Sequence, residues 1–298
     1  VTLQATPQAE PAAPEDRFVT VGGVRVRYRQ AGGGPFQVVL LHGIGRSLED
    51  WDENIAALSA HHRVTALDLI GFGQSDKPDV PYSLPGLARF LKHFLDALGI
   101  GEAALVGSSL GGAVALQFAA MYPARVRRLV LVGSAGFGAE VALGLRLCSL
   151  PGVGEVLLRP SRAGTERTLR ALFHDPKFVT WERVERAYGL GQLPGAGRAF
   201  LSVTRALGTW RGVRREWREA IAERLRGSQI PALIVWGRHD KIVPAAHLDA
   251  ARALLPQARM RVFEHCGHFP QIECAAGFNE LLLDFLAPAR RAGADAVP

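Results

Sequence analysis

Short apolar runs recur along the chain, and between them lie stretches whose apolar positions repeat every three or four residues. The runs have the pattern of strands buried on both faces, and the stretches that of amphipathic helices covering them. Residues 18–29 alternate through Gly22-Gly23, which predicts a hairpin. Residues 37–41 end in four consecutive apolar side chains and predict a buried strand. Ser47 and Asp50 then frame a capping box ahead of a helix with Trp51, Ile55 and Leu58 on one face. Strands are predicted at 64–67, 103–106 and 126–132. Helices are predicted at 84–98, ended by Gly99, and at 110–122, stopped by Pro123. Such alternation predicts a parallel sheet with helices on both faces.

The alternation breaks at residue 137. Residues 137–226 carry Arg-rich helical patterns, several Gly and Pro punctuations and no convincing strand. Strands return at 230–236 and 259–264, with helices around 245–254 and through Phe278, Leu281, Leu282 and Phe285. The expected organisation is therefore a core of residues 17–136 and 227–287, interrupted by a helical cap at 137–226. An insertion this much longer than a loop is usually a functional lid. Residues 1–16, rich in Ala, Pro, Gln and Glu, are expected to be a flexible arm, and 288–298 a fraying tail.

Charge changes the picture less than its sum suggests. The net +7 lies wholly in residues 137–226, with 16 Lys and Arg against 9 Asp and Glu; the rest is balanced at 19 against 19. The arginines interleave with glutamates, the pattern of solvated helix faces with local ion pairs. Zinc-finger spacing, an RNA-recognition aromatic motif and a recognition helix with a basic arm are all missing, so nucleic acid is not an expected partner. No apolar run reaches the length of a membrane span. Three cysteines, Cys148, Cys266 and Cys274, make no disulfide framework, and residues 1–16 lack the basic and apolar regions of a signal peptide. A cytoplasmic monomer or homodimer is expected.

The chemistry sits at the ends of the predicted strands. Gly107-Ser108-Ser109-Leu110-Gly111 joins a strand directly to a helix, the setting of a nucleophile elbow, with Ser109 pushed above the sheet edge. A serine hydroxyl needs a base to take its proton. His268 follows the strand at 259–264 and fills that role better than His265, which lies at the strand end where side chains more often pack. Reading His265, Cys266, His268 and Cys274 as a zinc cluster fails, because their spacing matches no common ligand set. The base needs a carboxylate partner, and Asp240 follows the strand at 230–236. After the strand at 126–132 the sequence reads Gly133-Ser134-Ala135, with no carboxylate. Two backbone N–H donors are needed for an oxyanion. Leu110, after the nucleophile, and Ile44, in the loop His42-Gly43-Ile44-Gly45, are the candidates. His42 itself is expected to be structural. So is the loop Asp68 to Ser75, which lacks the Lys-Ser/Thr of a phosphate loop.

These pieces resemble the α/β-hydrolase superfamily over about residues 17–287. The matching motifs are Leu41-His42-Gly43, the loop Asp68 to Ser75, Gly107 through Gly112, Gly237-Arg238-His239-Asp240 with Val243-Pro244, and Gly267-His268-Phe269. The resemblance implies a mostly parallel sheet flanked by helices with an inserted helical cap. It also implies the triad Ser109, Asp240 and His268, oxyanion donors Ile44 and Leu110, and no cofactor or metal. Serine at the elbow separates the chain from haloalkane dehalogenases and epoxide hydrolases, which use Asp, and from dienelactone hydrolases, which use Cys.

The sequence is also similar to the meta-cleavage-product hydrolases. The likeness covers Asp175-Pro176 to Thr180, Thr209-Trp210, and Cys266-Gly267-His268 through Phe278-Asn279. That subfamily has Asn before the nucleophile where this chain has Ser108. It has Arg before a cap aromatic where Ala187 precedes Tyr188, with Arg186 one place off. It has Trp after the base where this chain has Phe269. The expected function is therefore a carboxylesterase cleaving small-molecule apolar acyl or aromatic esters, with Trp210, Phe269 and Phe137 in its pocket. A carbon–carbon hydrolase of meta-cleavage-product type is the alternative, and a ligand-binding or signalling protein on the same fold is a third reading.

Overall fold

The computed structural model describes residues 14–287. The hairpin forms as β1 (Arg17–Val21) and β2 (Val24–Ala31) around Gly22-Gly23. Then come β3 (Gln37–Leu41), helix α1 (Asp52–Ser59), β4 (Arg63–Leu67), α2 (Leu84–Ala97), β5 (Ala103–Ser108), α3 (Leu110–Met121) and β6 (Val126–Val132). The capping box does not form as expected. Ser47 makes no side-chain cap bond, a short 3-10 turn precedes α1, and Asp50 is drawn instead to the Arg46 guanidinium. Ser83 does cap α2, accepting from the Gly86 N–H.

The eight-stranded sheet runs β1-β2-β4-β3-β5-β6, completed by β9 (Ala232–Gly237) and β10 (Arg259–Phe263). It is parallel from β4 to β10, and β2 pairs antiparallel with both β1 and β4. Successive side chains of each strand point to opposite faces, so each face has its own core. Val39, Leu41, Leu105, Leu131 and Trp236 pack under α2 and α3. Val38, Leu40, Val106, Val130 and Val235 pack under Trp51, Ile55, Phe278 and Leu282. Burial on both faces explains why these strands read as continuous apolar runs. The chain steps from β3 to β4 on one side and then crosses to β5 on the other. The carboxyl ends of β3 and β5 therefore flank a topological switch point, where open α/β sheets bind ligands.

Between β6 and β9 lie helices α4 (Leu143–Cys148), α5 (Val153–Leu157), α6 (Arg162–Leu172), α7 (Trp181–Gln192), α8 (Ala196–Leu207) and α9 (Arg215–Leu225). This insert also holds a small hairpin, β7 (Gly208–Thr209) with β8 (Gly212–Val213), too short to leave a strand pattern in the sequence. It is fastened to the segment after β10 by a separate cluster in which Leu169, Leu172, Phe173 and Val184 meet Phe269 and Ile272. Helices α10 (His247–Leu254), α11 (Pro270–Glu273) and α12 (Ala275–Leu286) complete the fold. The expected free arm is held at its end, where Asp16 pairs with Arg29 at 2.6 Å and with the buried Arg27 at 3.2 Å. Residues 1–13 and 288–298, expected to be arm and tail, lie outside the described residues. No helix among the described residues is long and apolar enough to cross a membrane.

Candidate active site

Ser109 stands between β5 and α3 at φ 54° and ψ −113°, the one non-glycine residue with positive φ among those described. The turn is held from both sides. The Ser109 N–H donates to Val132 O at 2.9 Å, and Ser109 O accepts from Ala113 and Ala135. The flanking glycines are required by close approach: a Cβ on Gly107 would lie 2.3 Å from Gly111 O, and one on Gly111 would lie 2.2 Å from Leu41 O. Backbone strain of this kind is typical of reacting residues and persists only when the surroundings over-determine it.

Asp240 and His268 are both buried, and His268 Nδ1 lies 2.7 Å from Asp240 Oδ2. The second carboxylate oxygen accepts from the N–H groups of Ile242 (2.8 Å) and Val243 (2.9 Å), which fixes the orientation of the carboxylate. With Nδ1 donating to Asp240, the lone pair of a neutral imidazole is on Nε2, the atom a general base needs. The three residues meet at Gly133. Gly133 follows the Val132 carbonyl that receives the Ser109 N–H, and a Cβ on it would lie 3.1 Å from His268 Nδ1 and 3.2 Å from Asp240 Oδ2. A side chain there would crowd both groups, and the φ of 50° at Gly133 is one that glycine adopts freely. No Ser109 Oγ to His268 hydrogen bond is formed; such bonds are often long before substrate arrives.

Gly43 faces the nucleophile, since a Cβ on it would lie 3.3 Å from Ser109 Cβ. The amides of Ile44 and Leu110 are spent on no backbone carbonyl among the described residues, so both are free to donate. His42 locks this loop. Its Nε2 accepts the Leu69 N–H at 3.0 Å, so Nδ1 carries the proton given to Gly43 O at 2.7 Å. Complete burial holds its imidazole below the usual value. The loop from Asp68 to Ser75 is likewise structural: the Asp68 carboxylate accepts from the N–H groups of Leu48 and Gln74.

Of the three expected pocket residues, Phe269 lies beside His268, with ring centroids 5.2 Å apart. Phe137 packs into the core against Trp236. Trp210 is 53% exposed on the β7–β8 turn with Arg211 over its ring, and is not gathered to the other two. His265 does not pack at the strand end but is exposed.

Three features had left no mark in the sequence reading. Phe200 of α8 lies against Gly45, where a Cβ would be 2.9 Å from its ring. Arg46 carries a bidentate contact to Asp50, lies 5.4 Å from the Phe269 ring centroid, and leaves its Nη1 unbonded to the described residues. It lines a small recess with Gly45, Glu49, Asp50, Arg183, Arg186 and Ala187. Glu273 joins the insert to the His268 loop, one oxygen accepting the Gly267 N–H (2.7 Å) and the other those of His174 (2.7 Å) and Asp175 (3.0 Å). The Arg46 and Phe200 contacts would have needed the loop after β3 to be read together with the cap.

Comparison with known proteins agrees with this architecture. The family model described as alpha/beta hydrolase fold matches residues 37–275. A 2-hydroxy-6-oxo-2,4-heptadienoate hydrolase of Pseudomonas putida is 34% identical over 278 residues, covering 91% of this chain and 96% of its own length. A dihydrolipoyllysine-residue acetyltransferase component of an acetoin cleaving system, from Cupriavidus necator, is 36% identical over 273 residues, covering 92% of this chain and 69% of its own. Among solved structures, a meta-cleavage product hydrolase from Pseudomonas fluorescens superposes with a TM-score of 0.78 at 31% identity, covering 90% of this chain and 96% of that one.

Proposed function

The chain belongs to the α/β-hydrolase fold family and is built as a serine hydrolase, and on that premise we propose that it cleaves a carbon–carbon bond beside a ketone in an acidic dienoate. The observation that carries this reading is the end-to-end match to a heptadienoate hydrolase, over 96% of that protein's length. The acetyltransferase component matches over a smaller part of itself. Arg46, Arg183 and Arg186 line a small recess beside the oxyanion loop together with Glu49 and Asp50, and Arg46 Nη1, which the Asp50 pair does not use, is the group there that suits a substrate carboxylate.

The chemistry follows from the skeleton in the relatives' names. A 2-hydroxy-6-oxo-2,4-dienoate first shifts its enol to the 2-oxo form, with a proton arriving at carbon 5. Ser109 Oγ then adds to the carbon 6 ketone while its proton passes to His268 Nε2. The oxyanion is held by the N–H groups of Ile44 and Leu110. When the bond between carbons 5 and 6 breaks, its electron pair is delocalised onto the oxygen at carbon 2. The proton held by His268 goes to this leaving dienolate. Water, deprotonated by His268, then releases the acyl group from Ser109. One water is consumed, and one carboxylic acid and one shorter 2-hydroxydienoate are formed. Asp240 orients the imidazole and stabilises its charged form.

Ester hydrolysis would use the same groups and is the second reading, favoured by Ser108 and Phe269 at the positions where the chain departs from the meta-cleavage-product hydrolases. The two are separated by Arg46→Gln and Arg186→Gln. A charge-assisted hydrogen bond contributes about 1.5–3 kcal/mol, so at least one variant should raise KM for a ring-fission dienoate about tenfold or more while leaving a neutral p-nitrophenyl ester unaffected. An equal loss on both substrates, or none on the dienoate, would remove the carboxylate recess from the account.

A further inference from the structure

Away from Ser109, three exposed histidines from distant parts of the chain converge. His174 lies in the segment after α6, His239 directly precedes Asp240, and His265 follows β10. The rings of His174 and His239 stack with centroids 4.2 Å apart, and those of His174 and His265 lie 6.5 Å apart. One ring nitrogen from each lies within 4.8 Å of the others. The backbones carrying them are fastened together. The His239 N–H donates to Cys266 O at 2.9 Å, the His268 N–H to Leu172 O at 2.7 Å, and the His174 N–H to Glu273 at 2.7 Å. The three side chains are thus held by a rigid frame while their own torsions stay free.

We propose that His174, His239 and His265 form a binding site for a divalent transition metal of the zinc class, with a fourth position left to water. Imidazole is the ligand that Zn²⁺, Ni²⁺, Co²⁺ and Cu²⁺ share. Zinc–nitrogen bonds of about 2.0–2.1 Å place tetrahedral ligand nitrogens roughly 3.3 Å apart. The exposed rings must therefore close by about 1.5 Å or less from 4.8 Å, within reach of side-chain rotation. The bound ion ties the insert, through His174, to the two loops that present Asp240 and His268. It is a clamp between the cap and the base, and its occupancy stiffens the lid.

The test uses the full chain without a histidine tag, stripped with a chelator and dialysed. Calorimetric titration with Zn²⁺ should show one ion per chain with a micromolar or tighter Kd. Co²⁺ should give the intense visible absorption of a tetrahedral site. Zinc at about a hundredfold excess over Kd should raise Tm by about 4 °C or more. Affinity should fall on acidification, because protons compete with the metal for imidazole. His239→Gln and His265→Gln should each weaken binding about tenfold or more, their metal-free Tm values showing that they fold, and exposed His61→Gln should not. Binding weaker than about 100 μM, binding undiminished in both variants, or binding lost only with His268→Gln would overturn the site.

Discussion

Ser109 shows how a single residue records its function in its backbone. Its positive φ is tolerated because bonds to Val132, Ala113 and Ala135 leave the turn no other course. Strain of this kind costs about 1–3 kcal/mol. Ser109→Gly should therefore unfold about 1 kcal/mol later than the parent in chemical denaturation while losing turnover by about 10⁴-fold or more. A destabilised Gly variant would show the turn to be unstrained. His42 makes the complementary case. Burial holds its imidazole below the ordinary 6.5. Between those two values the unfolded chain binds more protons, so stability is full above about pH 6.5 and is lost as pH falls. His62 and His247, also lowered by burial, act in the same direction. Unfolding free energy should drop on acidification below 6.5, and less steeply in His42→Gln. An unchanged slope would show that His42 takes no part.

At the scale of elements, the sequence was legible wherever periodicity was regular. The strands at 37–41 and 126–132 form where the apolar runs predicted them, because both of their faces are buried. The elbow was legible because glycines must stand where backbones nearly touch. Asp50 misled because a carboxylate can either cap a helix or pair with a cation, and here the guanidinium of Arg46, four residues earlier, takes it. Glu273 was invisible for a related reason. It binds backbone N–H groups 98 and 99 residues away, a distance at which no pattern survives. It is a seam between insert and sheet. Glu273→Ala should leave the buried N–H of Gly267 without its acceptor, at about 1–3 kcal/mol, and release the more exposed N–H groups of His174 and Asp175 to water. Faster amide hydrogen exchange confined to residues 172–175 and 266–269 is the expected result, and unchanged exchange there would deny the seam.

For the whole molecule, the order of strands is what makes chemistry possible. The reversal at β3 and β5 opens the sheet where Gly43 and Ser109 face one another, and the later strand ends bring in Gly133, Asp240 and His268. Five segments spread from residue 42 to residue 268 become one site, and the helical insert lies over it through Phe200 and Phe173. The fold and the meeting of Ser109, Asp240 and His268 at one sheet edge could be read in sequence because they depend on motifs at strand ends. Substrate choice could not, because it depends on where the insert comes to rest on the sheet: Trp210 looked like a pocket residue and stands exposed, while Arg46 went unnoticed beside the site. The account therefore stands or falls on substrate. The most direct measurement is kcat/KM for a 2-hydroxy-6-oxo-2,4-dienoate, followed by loss of its visible absorbance, beside kcat/KM for p-nitrophenyl butyrate, with Ser109→Ala as control. We predict that the dienoate is preferred by about a hundredfold or more and that Ser109→Ala abolishes its turnover. Efficient ester cleavage with no turnover of any dienoate would contradict the account and return the protein to the carboxylesterases.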